Sequence, residues 1–287
     1  MTLSILKGYL ELTKVSIMTL VLITTTLGYF MAQQGFKDPF LLLFTLLGAA
    51  LTCGGSAALN HYLERDSDLL MNRTKKRPIP TGLITPNQAL CFGIILVLAG
   101  IIILYTRVNL LTAFLSLLTA FLYVLVYTPL KKVSWLNTLI GAIPGAIPPM
   151  GGWAAARGEL GFEAWVLFLI LFAWQHPHFF AIAWMYKDDY RAAGFKMLPV
   201  IYPDGKLTFI KIVCYSFLLI AVSMLPSMIG MSGKLYLAGA LILGFWMLHT
   251  AFNLYRSHTV VDARRLLKAS VIYLPLLLLL IILDVNF

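Results

Sequence analysis

The sequence predicts an all-α, polytopic membrane protein with about nine transmembrane helices around a central cavity. Of its 287 residues, 60% are hydrophobic and 12% are charged, whereas charged residues make up about 25% of average soluble domains. Apolar stretches of roughly 20 residues, long enough to cross a bilayer core as helices, recur along the whole chain. The weak alternation over about 10 residues that marks membrane β-barrels is absent. The excess apolar surface is therefore expected to face lipid.

Nine apolar segments define the predicted helices, and the gaps between them contain turn-forming and charged residues. Two gaps are longer than the others, at about 64–85 and 187–206. No segment has the composition of a soluble domain, so residues 1–287 are interpreted as a single membrane-embedded domain. The predicted helices cover 14–35, 38–63, 86–105, 108–129, 136–156, 162–186, 207–230, 235–255 and 266–284.

The basic residues predict the orientation of these helices. With the N-terminus inside, the 22 Lys and Arg residues lie on the cytoplasmic side with four exceptions: Lys37, Arg107, Arg157 and Lys234. This asymmetry follows the positive-inside rule. We therefore expect a multi-pass protein of the bacterial inner membrane, with the N-terminus and both long loops in the cytoplasm and the C-terminus outside. The net charge of +10 then needs no nucleic acid to explain it.

Polar oxygens follow one face of the second predicted helix at its cytoplasmic end. Asn60, Glu64 and Asp68 are spaced by four residues, and each such step turns only about 40° around a helix. Hard oxygen ligands in such a row suit magnesium, which is typically held by one or two carboxylates together with waters and substrate phosphate. The alternative is an interfacial acidic helix end that balances nearby cations.

The loop that follows this helix is strongly basic. It places four cations, Arg73, Lys75, Lys76 and Arg77, close in sequence to the acidic row. A diphosphate requires both a metal and direct cationic donors, so this combination favours a diphosphate ligand. Membrane anchoring alone would explain the cations but not the row of oxygens.

A second acidic cluster follows the sixth predicted helix. Asp188 and Asp189 lie between Lys187 and Arg191. These carboxylates could serve a second magnesium or orient the first. The alternative is an ordinary network of ion pairs in a loop.

Histidines and helix breakers lie within the membrane in the second half of the chain. His176 and His178 flank Pro177 in the sixth predicted helix, where polar side chains mark functional interior positions. They could contact a large planar ligand or ligate iron, or they could satisfy carbonyls freed by the proline kink. The fifth predicted helix carries Gly and Pro throughout 141–152, which predicts a bent helix lining a cavity.

Together these residues resemble the UbiA-type intramembrane prenyltransferases, and within them the branch of protohaem IX farnesyltransferases, or haem O synthases. The first superfamily motif, Asn-Asp-x-x-Asp-x-x-x-Asp, stands here as Asn60-His61-x-x-Glu64-x-x-x-Asp68. Glu64 replaces the usual Asp, and His61 the usual Asp or Asn. The second superfamily motif has an Asp one turn before its last, where this chain has Trp184. Elements typical of the haem branch follow in order at 73–78, 127–132, 141–146, 174–179 and 189–194.

The resemblance implies a reaction and its partners. Farnesyl diphosphate binds with magnesium, the farnesyl group is transferred to the vinyl group of haem b, and water addition gives haem O for haem–copper terminal oxidases. The expected partners are therefore farnesyl diphosphate, haem b, the lipid bilayer and a haem A synthase or oxidase assembly partner.

The resemblance also implies roles for individual residues. The residues expected to be catalytic are Asn60, Glu64, Asp68, Asp188 and Asp189, and all of these except Asp188 are expected to ligate magnesium. The cations expected to bind diphosphate are Arg65, Arg73, Lys75, Arg77, Lys131, Lys187 and Arg191. The residues expected to contact haem are His176, His178 and Tyr127.

Two other functions fit parts of the pattern. One is a UbiA-type prenyltransferase with an aromatic acceptor such as 4-hydroxybenzoate, against which the haem-branch elements argue. The other is a secondary transporter, because broken helices and buried charges also mark transport pathways. Transporters keep their binding sites near the midplane of the membrane, whereas the acidic row here lies at the end of a helix.

Overall fold

The computed structural model describes residues 2–285, and these are helical almost throughout. These residues also include a π-helix, Leu122–Tyr127, and one isolated β-bridge, which joins Ser232 to Val285. The α-helices are α1 (Thr2–Leu12), α2 (Val15–Gln33), α3 (Pro39–Leu70), α4 (Pro86–Arg107), α5 (Leu110–Phe121), α6 (Thr128–Val133), α7 (Asn137–Ala146), α8 (Pro148–Arg157), α9 (Phe162–Met185), α10 (Lys187–Ala192), α11 (Leu198–Ile201), α12 (Lys206–Met228), α13 (Lys234–Ser257) and α14 (Val260–Leu283).

The predicted all-α membrane fold is confirmed. Within residues 2–285, eight helical segments are individually long and apolar enough to span a membrane, including the continuous stretch Leu110–Val133. The fifth predicted helix, 136–156, is divided at Ile147 into α7 and α8, and neither half reaches spanning length. Pro144 lies inside α7 and Pro148 begins α8, and proline removes a backbone donor and disfavours a straight helix. The helix breakers thus produce the bend that their sequence predicts.

The largest difference from the predicted boundaries is at the end of α3. This helix continues to Leu70, seven residues beyond the predicted end, so that the whole acidic row is helical. The prediction ended where hydropathy falls, but the polar residues retain the four-residue spacing of a buried helical face. The structure also adds the helix α1 before the first predicted span, and two short helices, α10 and α11, in the second long loop.

The chain forms two compact units. In the first unit, residues 2–160 and 189–195, small residues allow helices to pack closely. A Cβ on Gly28 of α2 would overlap the carbonyl of Pro149 in α8, and one on Gly55 of α3 would overlap the carbonyl of Gly93 in α4. The second unit, residues 161–188 and 196–285, packs α9, α12, α13 and α14 around buried tyrosines. There, the Tyr236 hydroxyl donates to the Ser223 carbonyl at 2.8 Å.

Candidate active site

The acidic row of α3 lies on one buried face in the first unit. Asn60 and Asp68 have none of their surface exposed, and Glu64 has 5%. Burying two carboxylates is costly unless each is paired or hydrogen-bonded. The partners of these side chains therefore determine what the site can bind.

Each member of the row is paired with one cation. Lys14 Nζ donates to Asn60 Oδ1 at 2.6 Å. Lys131 Nζ lies 2.6 Å from Glu64 Oε1, and Arg77 Nη1 lies 2.8 Å from both carboxylate oxygens of Asp68. The three pairs lie along about two turns of α3, and two of them are ion pairs. Such an array can bind a metal through its oxygens and a polyanion through its cations.

Lys14 was not predicted to belong to the site. It lies between α1 and α2 with φ of 50°, a left-handed conformation that is rare for a side-chain-bearing residue. Its Nζ also lies 3.3 Å from the hydroxyl of Tyr123. Burial first, and the nearby Arg77 cation second, lower the pKa of Lys14 to about 7. In the sequence Lys14 resembles any basic residue that anchors a membrane helix, so no local signal identified it.

The π-helix brings the next element of the site into contact with α3. The Thr128 hydroxyl accepts a hydrogen bond from Asn60 Nδ2 at 3.0 Å and donates one to the Tyr123 carbonyl at 2.8 Å. Lys131 Nζ lies 4.6 Å from the centre of the Tyr127 ring. Single π-helical turns within α-helices are frequent at functional sites. Tyr127, expected to contact haem, thus lies beside the Lys131–Glu64 pair.

The basic loop after α3 reaches the row through Arg77. Arg77 pairs with Asp68, whereas Lys75 is exposed and donates to Asn72 at 2.8 Å. The Arg73 backbone N–H donates to Asp189 Oδ2 at 3.3 Å, and its guanidinium donates to the Tyr190 hydroxyl at 3.3 Å. Asp189 therefore lies against the basic loop.

The other residues predicted to bind diphosphate or to be catalytic are Arg65, Lys187, Asp188 and Arg191. Arg65 turns back to the Tyr62 carbonyl of its own helix at 2.8 Å. Lys187 Nζ lies 4.0 Å from the centre of the Trp184 ring. The side chains of Asp188 and Arg191 are exposed.

The donor set of the row fits magnesium. Among residues 2–285, no three His, Cys, Asp or Glu side chains come together in a metal-sized cluster. The row instead combines two carboxylates with one amide oxygen, all hard ligands. Magnesium retains waters and takes only one or two protein carboxylates when phosphate completes its shell, so this set is sufficient for a metal that arrives with a phosphate ligand.

The two predicted haem-contacting histidines lie on α9 in the second unit, in different environments. His176 is fully buried, stacks on Tyr215 with ring centroids 3.7 Å apart, and its Nδ1 lies 2.7 Å from the Phe172 carbonyl. His178 is half-buried, and its Nδ1 lies 2.8 Å from Ser270 Oγ. Because Ser270 gives its own proton to the Leu267 carbonyl at 2.7 Å, it must accept from His178. A neutral His178 therefore leaves Nε2 as its lone-pair nitrogen.

The fold and this site define a multi-pass helical membrane protein that presents a buried, cation-paired row of oxygen ligands. The chain belongs to the UbiA prenyltransferase family, whose model matches residues 21–274. The predicted family and its class of enzyme are thereby confirmed, and the transporter alternative is not supported.

Similar proteins cover nearly the whole chain. It is 47% identical to the protoheme IX farnesyltransferase of Solibacter usitatus (strain Ellin6076), over 97% of this chain and 99% of that protein. It is 44% identical to the protein of the same name from Salinibacter ruber (strain DSM 13855 / M31), over 96% of this chain and 98% of that protein.

Solved structures share the fold at lower identity. A digeranylgeranylglyceryl phosphate synthase superposes with a TM-score of 0.82 at 21% identity, covering 98% of both chains. A UbiA homolog from Archaeoglobus fulgidus bound to GPP and Mg²⁺ superposes with a TM-score of 0.73 at 14% identity, covering 96% of this chain and 99% of that one.

Proposed function

We propose that this protein transfers the farnesyl group of farnesyl diphosphate to a vinyl group of haem b, giving haem O. The observation that carries this proposal is the 47% identity, over almost the full length of both proteins, to a protein named protoheme IX farnesyltransferase. In the reaction the bond between farnesyl C1 and the diphosphate oxygen breaks, and C1 bonds to the terminal vinyl carbon. Water then adds to the adjacent carbon and releases a proton.

The first unit supplies the groups that bind and polarise the diphosphate. Asn60, Glu64 and Asp68 would hold magnesium, which when bound neutralises negative charge that develops on the leaving diphosphate. Lys131 and Arg77 are already within hydrogen-bond distance of the row. A magnesium diphosphate would give these cations phosphate oxygens as new partners of opposite charge. Cations fixed before the reaction stabilise the departing anion without further reorganisation.

The second unit supplies the proposed haem contact. His178 is half-buried, and Ser270 fixes its tautomer with Nε2 as the lone-pair nitrogen. A neutral imidazole whose other nitrogen donates a hydrogen bond is the usual form of a histidine that ligates a metal. We assign Nε2 of His178 to the iron of haem b. His176, which stacks on Tyr215 and bonds back to its own helix, is assigned a packing role.

The product should be detectable in membranes that contain this protein. A host that makes haem b and farnesyl diphosphate but lacks its own haem-farnesylating enzyme should accumulate haem O when the chain is expressed. Mass spectrometry of extracted haems measures this directly. Haem b alone, together with prenylation of added 4-hydroxybenzoate, would favour the aromatic acceptor and contradict the proposal.

The proposed location is the bacterial inner membrane, with the N-terminus and both long loops in the cytoplasm and the C-terminus outside. Single cysteines at Thr81 and Asp204, in a background without Cys53, Cys91 and Cys214, should be labelled only from the cytoplasmic side. Both positions are exposed. Asp204 is chosen rather than the neighbouring Gly205, because a cysteine at Gly205 would be strained: its φ is +74° and a Cβ there would overlap Trp184. Labelling of either cysteine from outside would contradict this topology.

The fate of the product is part of the same proposal. The farnesyl chain of haem O would hold it in the membrane, where a haem A synthase or an oxidase assembly factor would receive it. The oxidases that finally use it would be haem–copper terminal oxidases.

A further inference from the structure

His61 is a buried imidazole without a partner inside the first unit. Its side chain is 2% exposed, and neither Nδ1 nor Nε2 has a hydrogen-bond partner. Among residues 2–285 it is the only side chain with two buried polar atoms that both lack partners. Buried polar groups in folded proteins are normally hydrogen-bonded, so each exception requires an explanation.

The position of His61 on α3 directs it toward the acidic row. It follows Asn60 directly, and with about 100° per residue it lies within about 60° of Glu64 and about 20° of Asp68 around the helix axis. All four side chains therefore occupy less than one third of the helix circumference. The residue that shares this face with the metal-ligand candidates is thus a nitrogen donor rather than a carboxylate.

The charges around His61 indicate which kind of ligand it could bind. The charged groups that act on it are Lys14, Arg77 and Lys131, the same three cations that pair with the row. The carboxylates of Glu64 and Asp68 are occupied by Lys131 and Arg77 at 2.6 and 2.8 Å. An N–H of a neutral imidazole in this cationic setting is satisfied best by an anionic oxygen supplied from outside the chain.

We propose that His61 donates a hydrogen bond to a diphosphate oxygen of the bound prenyl substrate. This inference rests on the proposed function, since it requires that the row binds a magnesium diphosphate. His61 is then a substrate-binding residue. It also has a signature that a packing residue lacks: the group is unsatisfied in the free protein and becomes satisfied only when the ligand binds.

Two substitutions separate binding from packing. His61→Leu removes the polar group, and His61→Gln keeps an N–H donor at similar length. The purified protein is titrated by calorimetry with inorganic pyrophosphate in the presence of Mg²⁺, and the melting temperature of the free protein is recorded. His249→Leu, at an exposed position on α13, controls for replacing a membrane-helix histidine by leucine.

We expect His61→Leu to lose affinity for pyrophosphate without losing stability. His61→Leu should weaken pyrophosphate binding by about 10- to 100-fold, the range for one lost hydrogen bond to a charged group. The same variant should melt no lower than the parent, because it removes an unpaired buried polar group. His61→Gln should recover most of the affinity, and His249→Leu should bind like the parent.

Three results would overturn the proposal. Parent-like pyrophosphate binding by His61→Leu would show that the imidazole does not touch the ligand. A lower melting temperature in both His61 variants, with equally weak binding, would show a packing role. If the parent itself fails to bind magnesium pyrophosphate, the proposed diphosphate site fails together with this inference. In the first two cases the diphosphate site stands.

Discussion

Glu64→Gln is expected to reduce haem O formation at least about 100-fold, which corresponds to an increase of about 2.7 kcal/mol in the activation barrier. The substitution keeps the size of the side chain and removes one of the two carboxylates of the row. It therefore removes a ligand from the proposed magnesium and a counter-charge from Lys131, which lies 2.6 Å away. Turnover is measured with purified protein, haem b and farnesyl diphosphate.

The loss of an ion-pair partner complicates this single variant. Removing one member of a buried pair leaves an uncompensated charge, which typically costs about 3–5 kcal/mol of stability. The double variant Glu64→Gln/Lys131→Met removes both charges and should recover the melting temperature. It should not recover activity, because neither the metal ligand nor the cation returns. Recovery of activity in the double variant would mean that the carboxylate serves only to neutralise Lys131.

The same helix offers a matched control. Asp66 lies two residues away, its side chain is 77% exposed, and its contact with Arg65 is long, at 3.8 Å. Exposed pairs of this kind contribute little to stability. Asp66→Asn should therefore retain nearly full turnover, while Asp68→Asn should behave like Glu64→Gln. Near-normal turnover in both Glu64→Gln and Asp68→Asn would restore the alternative of an interfacial acidic helix end.

Spacing along one helix was sufficient to place the row on a common face. Asn60, Glu64 and Asp68 repeat every four residues, and the structure buries all three. The cations that pair with the row could not be predicted from this spacing. Lys14 lies 46 positions before Asn60, and Lys131 lies 67 positions after Glu64. Pairing over such distances depends on how α2, α3 and α6 pack, and hydropathy does not report packing.

Helix breaks were easier to predict than helix ends. The prolines of 141–152 act locally through a missing N–H, so the bend between α7 and α8 follows from sequence. The end of α3 was misplaced because a polar buried face lowers hydropathy without ending the helix. The π-helix at Leu122–Tyr127 has no composition signal, yet it brings Tyr127 and Lys131 to the site.

The roles of the two histidines on α9 should separate in a haem titration. His178→Ala should weaken the binding of haem b by more than about tenfold and remove the optical signature of imidazole-ligated iron, because it removes the lone-pair Nε2 that Ser270 helps to orient. His176→Ala should bind haem like the parent. Its expected defect is a lower melting temperature, since it deletes a buried ring stacked on Tyr215.

A non-reactive analogue of farnesyl diphosphate provides the control, because its binding should be unchanged in both variants. Ser270→Ala adds a second test of the same assignment. Without the hydroxyl that accepts from Nδ1, the ring of His178 loses its fixed tautomer and orientation, so haem should still bind but more weakly and with an altered spectrum. A merely structural Ser270 would change stability without changing the spectrum. If both histidine variants bind haem b with the affinity and spectrum of the parent, the assignment of His178 to the iron is wrong and both rings serve packing.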